Sequence, residues 1–194
     1  MRSSALRFSL ALLAGALMIA GCSGSSKQST SAADRLVNQG LQAQQQGNST
    51  LALQSYQAAI KANPLDVYAY YDLGVVYQQR NDLADAASSY QKALLINPSY
   101  KSALFNLAVL DTPSSPATAL ALYEQLNGID QNDPNVLLNM GLLLRQMGNS
   151  AEADKDLSQA VQLKPALASR IPPTTTAPPA TTVAPTTATT RPKS

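Results

Sequence analysis

The stretch VYAYYDLGVVYQQRNDLADAASSYQKALLINPSY, Val67 to Tyr100, decides the fold. It holds two runs of about three turns each, divided by Arg80-Asn81-Asp82. Apolar residues fall three and four apart in both, the spacing of an amphipathic helix. Asn97-Pro98 closes the second run, because a residue before proline is pushed out of the α region. Outward from this stretch the same beat continues in both directions. Tyr56, Tyr90, Tyr123 and Leu157 stand 34, 33 and 34 residues apart. Gly40, Gly74, Ala108 and Gly141 keep that interval, and so do Ala52, Ala86, Ala119 and Ala153. Three columns in phase are the mark of stacked helix-turn-helix units. The small residues let paired helices approach, and the large ones fill the spaces between them. The expected fold is all-α, a right-handed α-solenoid of four repeats.

The columns resemble the tetratricopeptide repeat. That pattern asks for a large apolar residue at position 4, Leu-Gly at 7 and 8, and an aromatic at 11. It then asks for Ala at 20, an aromatic at 24, Ala at 27 and Pro at 32. Residues 67–100 match throughout, with Tyr70, Leu73, Gly74, Tyr77, Ala86, Tyr90, Ala93 and Pro98. Residues 33–66 offer Leu36, Gly40, Ala52, Tyr56, Ala59 and Pro64; residues 134–167 offer Leu137, Gly141, Ala153, Leu157, Ala160 and Pro165. The third unit, 101–133, is one residue short and has Ala108 for Gly, Asp111 for the aromatic and Leu126 for Ala. Its turn, Asp111-Thr112-Pro113-Ser114-Ser115-Pro116, contains two prolines. Pro113 cannot continue a helix, so the first helix of this unit is predicted to stop near Leu110. The turn reads either as a rigid loop variant or as a local opening of the array. The other turns fall on Gly47-Asn48, Arg80-Asn81-Asp82 and Gly148-Asn149-Ser150, where left-handed backbone and N-capping oxygens are at hand.

The N-terminus carries a second signal. Arg2 and Arg7 precede an uncharged run, Phe8 to Ala20, of about 13 residues, followed by Ile19-Ala20-Gly21-Cys22. A basic start, a short apolar stretch and small residues before a cut site form a secretory signal over 1–21, too short for an ordinary span. The last four residues resemble the lipobox of bacterial lipoproteins. That resemblance implies cleavage after Gly21 and lipidation of Cys22, hence an exported, membrane-anchored protein of a bacterial cell envelope. Cys22 is the only cysteine, so no internal disulfide is available and packing alone must hold the array. Residues 22–32 read as a lipidated cysteine and flexible tether. Residues 168–194 read as a disordered tail, with nine Thr and six Pro between Ile171 and Ser194.

Charge and composition exclude several classes of function. Without Arg2 and Arg7 the chain has 12 basic and 12 acidic residues, and within 33–167 the count is 8 against 12. A phosphate-binding face would cluster Lys and Arg, and none does, so nucleic acid is not an expected partner. The absence of histidine removes Ser-His-Asp and Cys-His constellations and His-ligated metals. The acids Asp82/Asp85 and Glu152/Asp154/Asp156 sit where second helices begin and favour the positive helix end. No enzyme, cofactor, metal or small-molecule substrate is expected.

What remains is the face formed by the first helices. In arrays of this resemblance, positions 2, 5, 6, 9 and 12 of those helices line a concave groove that binds other proteins or peptides. Here that face comprises Val37 and Leu41, then Tyr68, Tyr71, Asp72, Val75 and Gln78. Phe105, Asn106 and Val109 follow, and Leu138, Asn139, Leu142 and Arg145 complete it. The family's carboxylate clamp needs Lys and Asn where this chain has Val37, Leu41 and Asp72, so a clamp of that kind is not expected. An aromatic, amide-bearing groove suits an extended segment or an amphipathic helix. Tyr71 and Phe105 read equally well as packing between neighbouring helices. The reading is a monomeric envelope adaptor; the alternative is a structural, cell-wall-associated lipoprotein whose Thr/Pro tail is the working part. Five charges on the helix 150–164 predict that it caps the stack itself, since nothing helical is expected after Pro165 beyond Ala166 to Ser169, and Pro172-Pro173 stops the chain.

Overall fold

The computed structural model describes residues 31–173. The signal segment, Cys22, most of the expected tether and residues 174–194 lie outside the described residues. Among the described residues eight α-helices pair in chain order: α1 (Ala32–Gln45) with α2 (Ser49–Ala62), α3 (Val67–Gln79) with α4 (Leu83–Ile96), α5 (Lys101–Asp111) with α6 (Pro116–Ile129), and α7 (Pro134–Gln146) with α8 (Ser150–Leu163). Each pair packs on the next, giving the α-solenoid, and a 3-10 helix, η1 (Pro165–Arg170), follows α8.

Local chemistry sets these boundaries. Ser31 and Asp34 form a reciprocal capping box that starts α1, so the helix begins at Ala32 and the last two residues of the expected tether are structured. Asp66 and Asp133 each accept from two backbone N–H groups at the starts of α3 and α7. Gly47, Asn81 and Gly148 turn the chain within repeats at φ of 73°, 63° and 89°, the left-handed backbone that glycine and asparagine tolerate. Asn63 and Asn97 end α2 and α4 in extended conformation ahead of their prolines. α5 stops at Asp111, shorter than α3 and α7, as Pro113 requires. The turn that follows is tied down: the Thr112 hydroxyl donates to the Ala108 carbonyl, and Ser114 and Ser115 N–H donate to that of Asp111.

The core is a column of close contacts. Tyr56 and Tyr90 are fully buried, Tyr123 and Leu157 nearly so, each between the two helices of its own repeat. A Cβ placed on Gly74 would lie 2.6 Å from the Tyr90 ring, and one on Gly40 would lie 2.5 Å from that of Tyr56. Leu157 takes the same place over Gly141, at 2.8 Å. Glycine is therefore required by contact at these positions, whereas Gly128 in α6 has open space.

The C-terminal end corrects two expectations. η1 occupies residues assigned to the tail from 168 onward, and α8 does not cap the stack alone. Leu167 is 3% exposed and packs into the cluster holding Leu157 and Ala160, with Ile171 against it. Pro165 starts this turn because its fixed φ suits a first helical position and its missing N–H is not needed there. The chain-stopping prolines lie farther on, at 172 and 173, leaving room for one apolar residue to fold back.

Two measurements check this packing. Gly74→Ala lowers unfolding stability by about 1–3 kcal/mol through overpacking, while Gly128→Ala raises it by up to about 1 kcal/mol; equal shifts in urea denaturation would refute the contact argument. Leu167→Ala costs about 2 kcal/mol, at the low end for a buried leucine because the site is terminal. An unchanged midpoint would mean that η1 does not cover the array.

Candidate functional site: the concave face

The residues of this face are set by the hydroxyls behind them. The Tyr56 hydroxyl donates to Gln44 Oε1 at 3.1 Å, and that of Tyr90 to Gln78 Oε1 at 2.7 Å. In the third repeat Thr112 stands at the equivalent place and bonds the side chain of Tyr123. Position 12 of each of these repeats is thus held inward by the phenol at position 24. The fourth repeat breaks the series. Leu157 has no hydroxyl, so Arg145 at position 12 turns elsewhere: it pairs with Asp154 at 3.0 Å and donates to the Pro172 carbonyl at 3.2 Å.

A second register runs along position 6. Asn106 Nδ2 donates to the Tyr90 hydroxyl at 3.2 Å and approaches that of Tyr71 at 3.5 Å. Asn139 bonds the side chain of Tyr123 in the same way. Both amides cross from one repeat to the phenol of the repeat before. At the matching place over Tyr56 stands Asp72, which as a carboxylate cannot donate. It has no hydrogen-bond or ion-pair partner among the described residues, and it is half-buried. Burial, with the charge of Asp66 adding to it, pushes its carboxyl up to about 6. Burial chiefly, and then the charge of Asp72, also raises Tyr56 above the ordinary phenol range, and burial takes Tyr90 to about 12.

The aromatic side chains of repeats two and three form two groups, one around Tyr71 and one around Phe105, that face a common cavity. Tyr71 meets Tyr100 at 5.2 Å edge-on and Tyr90 at 5.8 Å, and Tyr68 meets Tyr100 at 5.8 Å edge-on. Phe105 meets Tyr123 at 6.1 Å. Tyr71 and Phe105 each pack on a neighbour, and each also lines open space. A cavity of about 520 Å³ is walled by Tyr71, Phe105, Asn106 and Asn139, with Asp130 and Arg170 at its edges. A second, of about 390 Å³, continues past Phe105, Val109, Asn139 and Leu142 to Thr112 and again reaches Arg170. Lys101 closes one rim through a 2.7 Å ion pair with Asp130.

Other expected groove residues have different surroundings. Leu138 is fully buried in the core beneath the fourth repeat, so it cannot line a groove. Position 5 of α7 points inward, into the same cluster that holds Leu167 and that Ile171 packs against. Val37 and Val75 pack against the first two core clusters, and Gln78 is taken up by Tyr90. Leu41 and Tyr68 are exposed, Tyr68 at 64%. Sequence reasoning missed Tyr100, which bridges Tyr68 and Tyr71, and Arg170, whose place depends on η1. The closing position of one repeat lies beside the first helix of the next, which could have pointed to Tyr100.

Two family models described as tetratricopeptide repeat match the chain, one over 37–103 and one over 134–167. The chain belongs to the tetratricopeptide repeat family. The third repeat, with its missing residue and two prolines, lies largely between the matched spans. No curated protein matches it in sequence. Among solved structures it is similar to a crystal structure of MamA, with a TM-score of 0.65 and 22% identity, over 74% of this chain and 84% of that one. It is also similar to MamA 41-end from Desulfovibrio magneticus RS-1, with a TM-score of 0.64 and 18% identity, over 69% and 76%. A tetratricopeptide repeat protein from Parabacteroides merdae ATCC 43184 gives 0.64 and 26%, over 69% of this chain and 54% of that one. The MamA likenesses show the fold. Tetratricopeptide repeat proteins bind other proteins, and no group of His, Cys, Asp or Glu among the described residues could hold a metal ion.

The isolated acid yields a test on residues 31–173. Asp72→Asn supplies the amide that Asn106 and Asn139 provide and removes a desolvated charge. It is expected to raise stability at pH 7 by about 1 kcal/mol, the upshift being discounted for partial exposure. Because the folded carboxyl titrates above its unfolded value, native stability falls as pH rises from about 4 to about 6 and then levels. The advantage of the variant therefore shrinks below pH 5; urea denaturation at pH 4.5 and pH 7 showing the same difference would refute it.

Proposed function

We propose that the chain is an envelope lipoprotein, anchored through Cys22, whose concave face holds an extended segment of another protein. The observation that carries the binding half is the run of cavities along α5 and α7. There aromatic rings and amides lie side by side over an open surface, the mixture that grips apolar anchors and peptide groups of an extended chain. The anchoring half rests on the sequence of residues 1–22 alone. A lipid at Cys22 would place the array within a short tether of a membrane, which suits an adaptor. The array works as a monomer, because η1 covers the end at which stacking on a second copy would occur.

Both halves can be tested in intact cells. Cys22→Ser is expected to move the protein from the membrane fraction to soluble or unprocessed pools and to abolish incorporation of labelled fatty acid. A photocrosslinking residue at Phe105 is expected to capture a discrete envelope protein, with at least tenfold less adduct when Leu142→Lys is added. Unchanged fractionation would remove the anchor. Adduct insensitive to Leu142→Lys would remove the groove.

A further inference from the structure

The route by which the chain leaves the array bears on what fills the groove. η1 turns back under the fourth repeat, and Arg170 at its end borders both cavities of the concave face. Two residues later the Pro172 carbonyl accepts from Arg145, the position-12 side chain that Leu157 leaves without a phenol. The chain is thus pinned, at Pro172, to a side chain of the groove-lining helix α7. The 21 residues that follow, 174–194, contain four Pro, nine Thr, Arg191 and Lys193, and no acid.

We infer that the segment from Thr174 to Lys193 is the groove's resident occupant in its own chain, with Arg191 and Lys193 meeting the unpartnered carboxylate of Asp72. Three observations agree on this. Prolines in polyproline conformation dock on rows of aromatic rings, which Phe105, Tyr71, Tyr100 and Tyr68 provide. Asp72 is the one position-6 side chain without an amide, and it stands near enough to Tyr100 for its charge to act on that phenol, so it offers a cation a carboxylate beside the ring patch. Length permits the fit: Arg191 lies eighteen positions beyond Pro173, about 56 Å at the polyproline rise. The path from α7 past α5 to α3 is roughly 20 Å at ordinary helix spacings. The inference rests on the concave face being a segment-binding groove, and it makes a partner compete with the tail.

A photocrosslinking residue at Tyr68, exposed and beside Tyr100, tests this in the purified full chain in detergent. Tryptic cleavage after Arg170 and Lys193 releases the tail as one peptide. The expected result is an adduct to that peptide within one chain, its yield independent of protein concentration. Adding Arg191→Glu and Lys193→Glu together is expected to lower the yield at least fivefold, and Phe105 used as the crosslinking site is expected to capture residues nearer Thr174. An adduct between two copies that grows with concentration would overturn the inference, as would no tail adduct from either site. Should a chain ending after Pro173 capture the same envelope protein as the full chain, in equal yield and sensitive to Leu142→Lys, the tail is excluded while the groove stands. Loss of that sensitivity in both chains would end both readings.

Discussion

The array depends on one steric fit, a large side chain of the second helix packed against a small position on the first, and in the first two repeats that is a phenol ring against bare backbone. With a Cβ site on Gly40 or Gly74 only 2.5 or 2.6 Å from the facing ring, the paired helices of the first two repeats reach a separation that a side chain at position 8 would not permit, whereas the third repeat accommodates Ala108 there. The fit sets three things together. It fixes the distance between paired helices, it buries the aromatic completely, and it places the hydroxyl at the inner edge of the concave face. A buried hydroxyl needs a partner, and Gln44, Gln78 and Thr112 meet that need. The packing rule and the polar pattern of the groove are therefore the same rule seen from two sides.

The consequence is a concave surface with little freedom in its own construction. Position 12 answers the phenol of its own repeat, and position 6 answers the phenol of the repeat before. Only departures from the rule leave a side chain free for something else. Leu157 releases Arg145, and Arg145 takes the outgoing chain. Asp72 replaces an amide, and its carboxyl remains without a partner in a site that raises it to about 6. Stability is given up at that point, as unpartnered half-buried charges cost free energy. A half-buried acid without a partner is a reason to look for a ligand.

The fold was legible because its signal is steric and repeats. Glycine opposite tyrosine at a fixed interval survives in any order of reading, and Asn-Pro and Gly-Asn mark the turns without tertiary information. The site was legible only in part. Tyr71, Phe105, Asn106 and Asn139 were found by register and do share a cavity. Leu138 was misplaced because its burial belongs to the apolar cluster of the last two repeats, and the covering role of η1 was missed because six residues after a proline carry no periodicity. Its anchor, Leu167, is one apolar side chain whose role depends on a core surface that no local pattern describes. Arg170 was missed for the same reason, and Tyr100 because it belongs by number to one repeat and by contact to the next.

The face is also graded along its length, and the grading gives it a direction. At the α1 end it offers Val37, packed, and Leu41, partly exposed, with no ring of its own. α3 supplies the free acid and two tyrosines, α5 a phenylalanine and an amide, and α7 an amide, Leu142 and an arginine already engaged. An extended chain laid from α7 toward α3 meets amide and apolar surface first, then stacked rings, and negative charge last. Running the other way, a cationic end would stop beside Arg145 and be repelled. Charge at the two ends thus selects the orientation, while rings and amides in the middle hold the chain without reading much of its sequence. That division suits a threonine- and proline-rich strand, whose side chains are small and alike, with its cations confined to the far end.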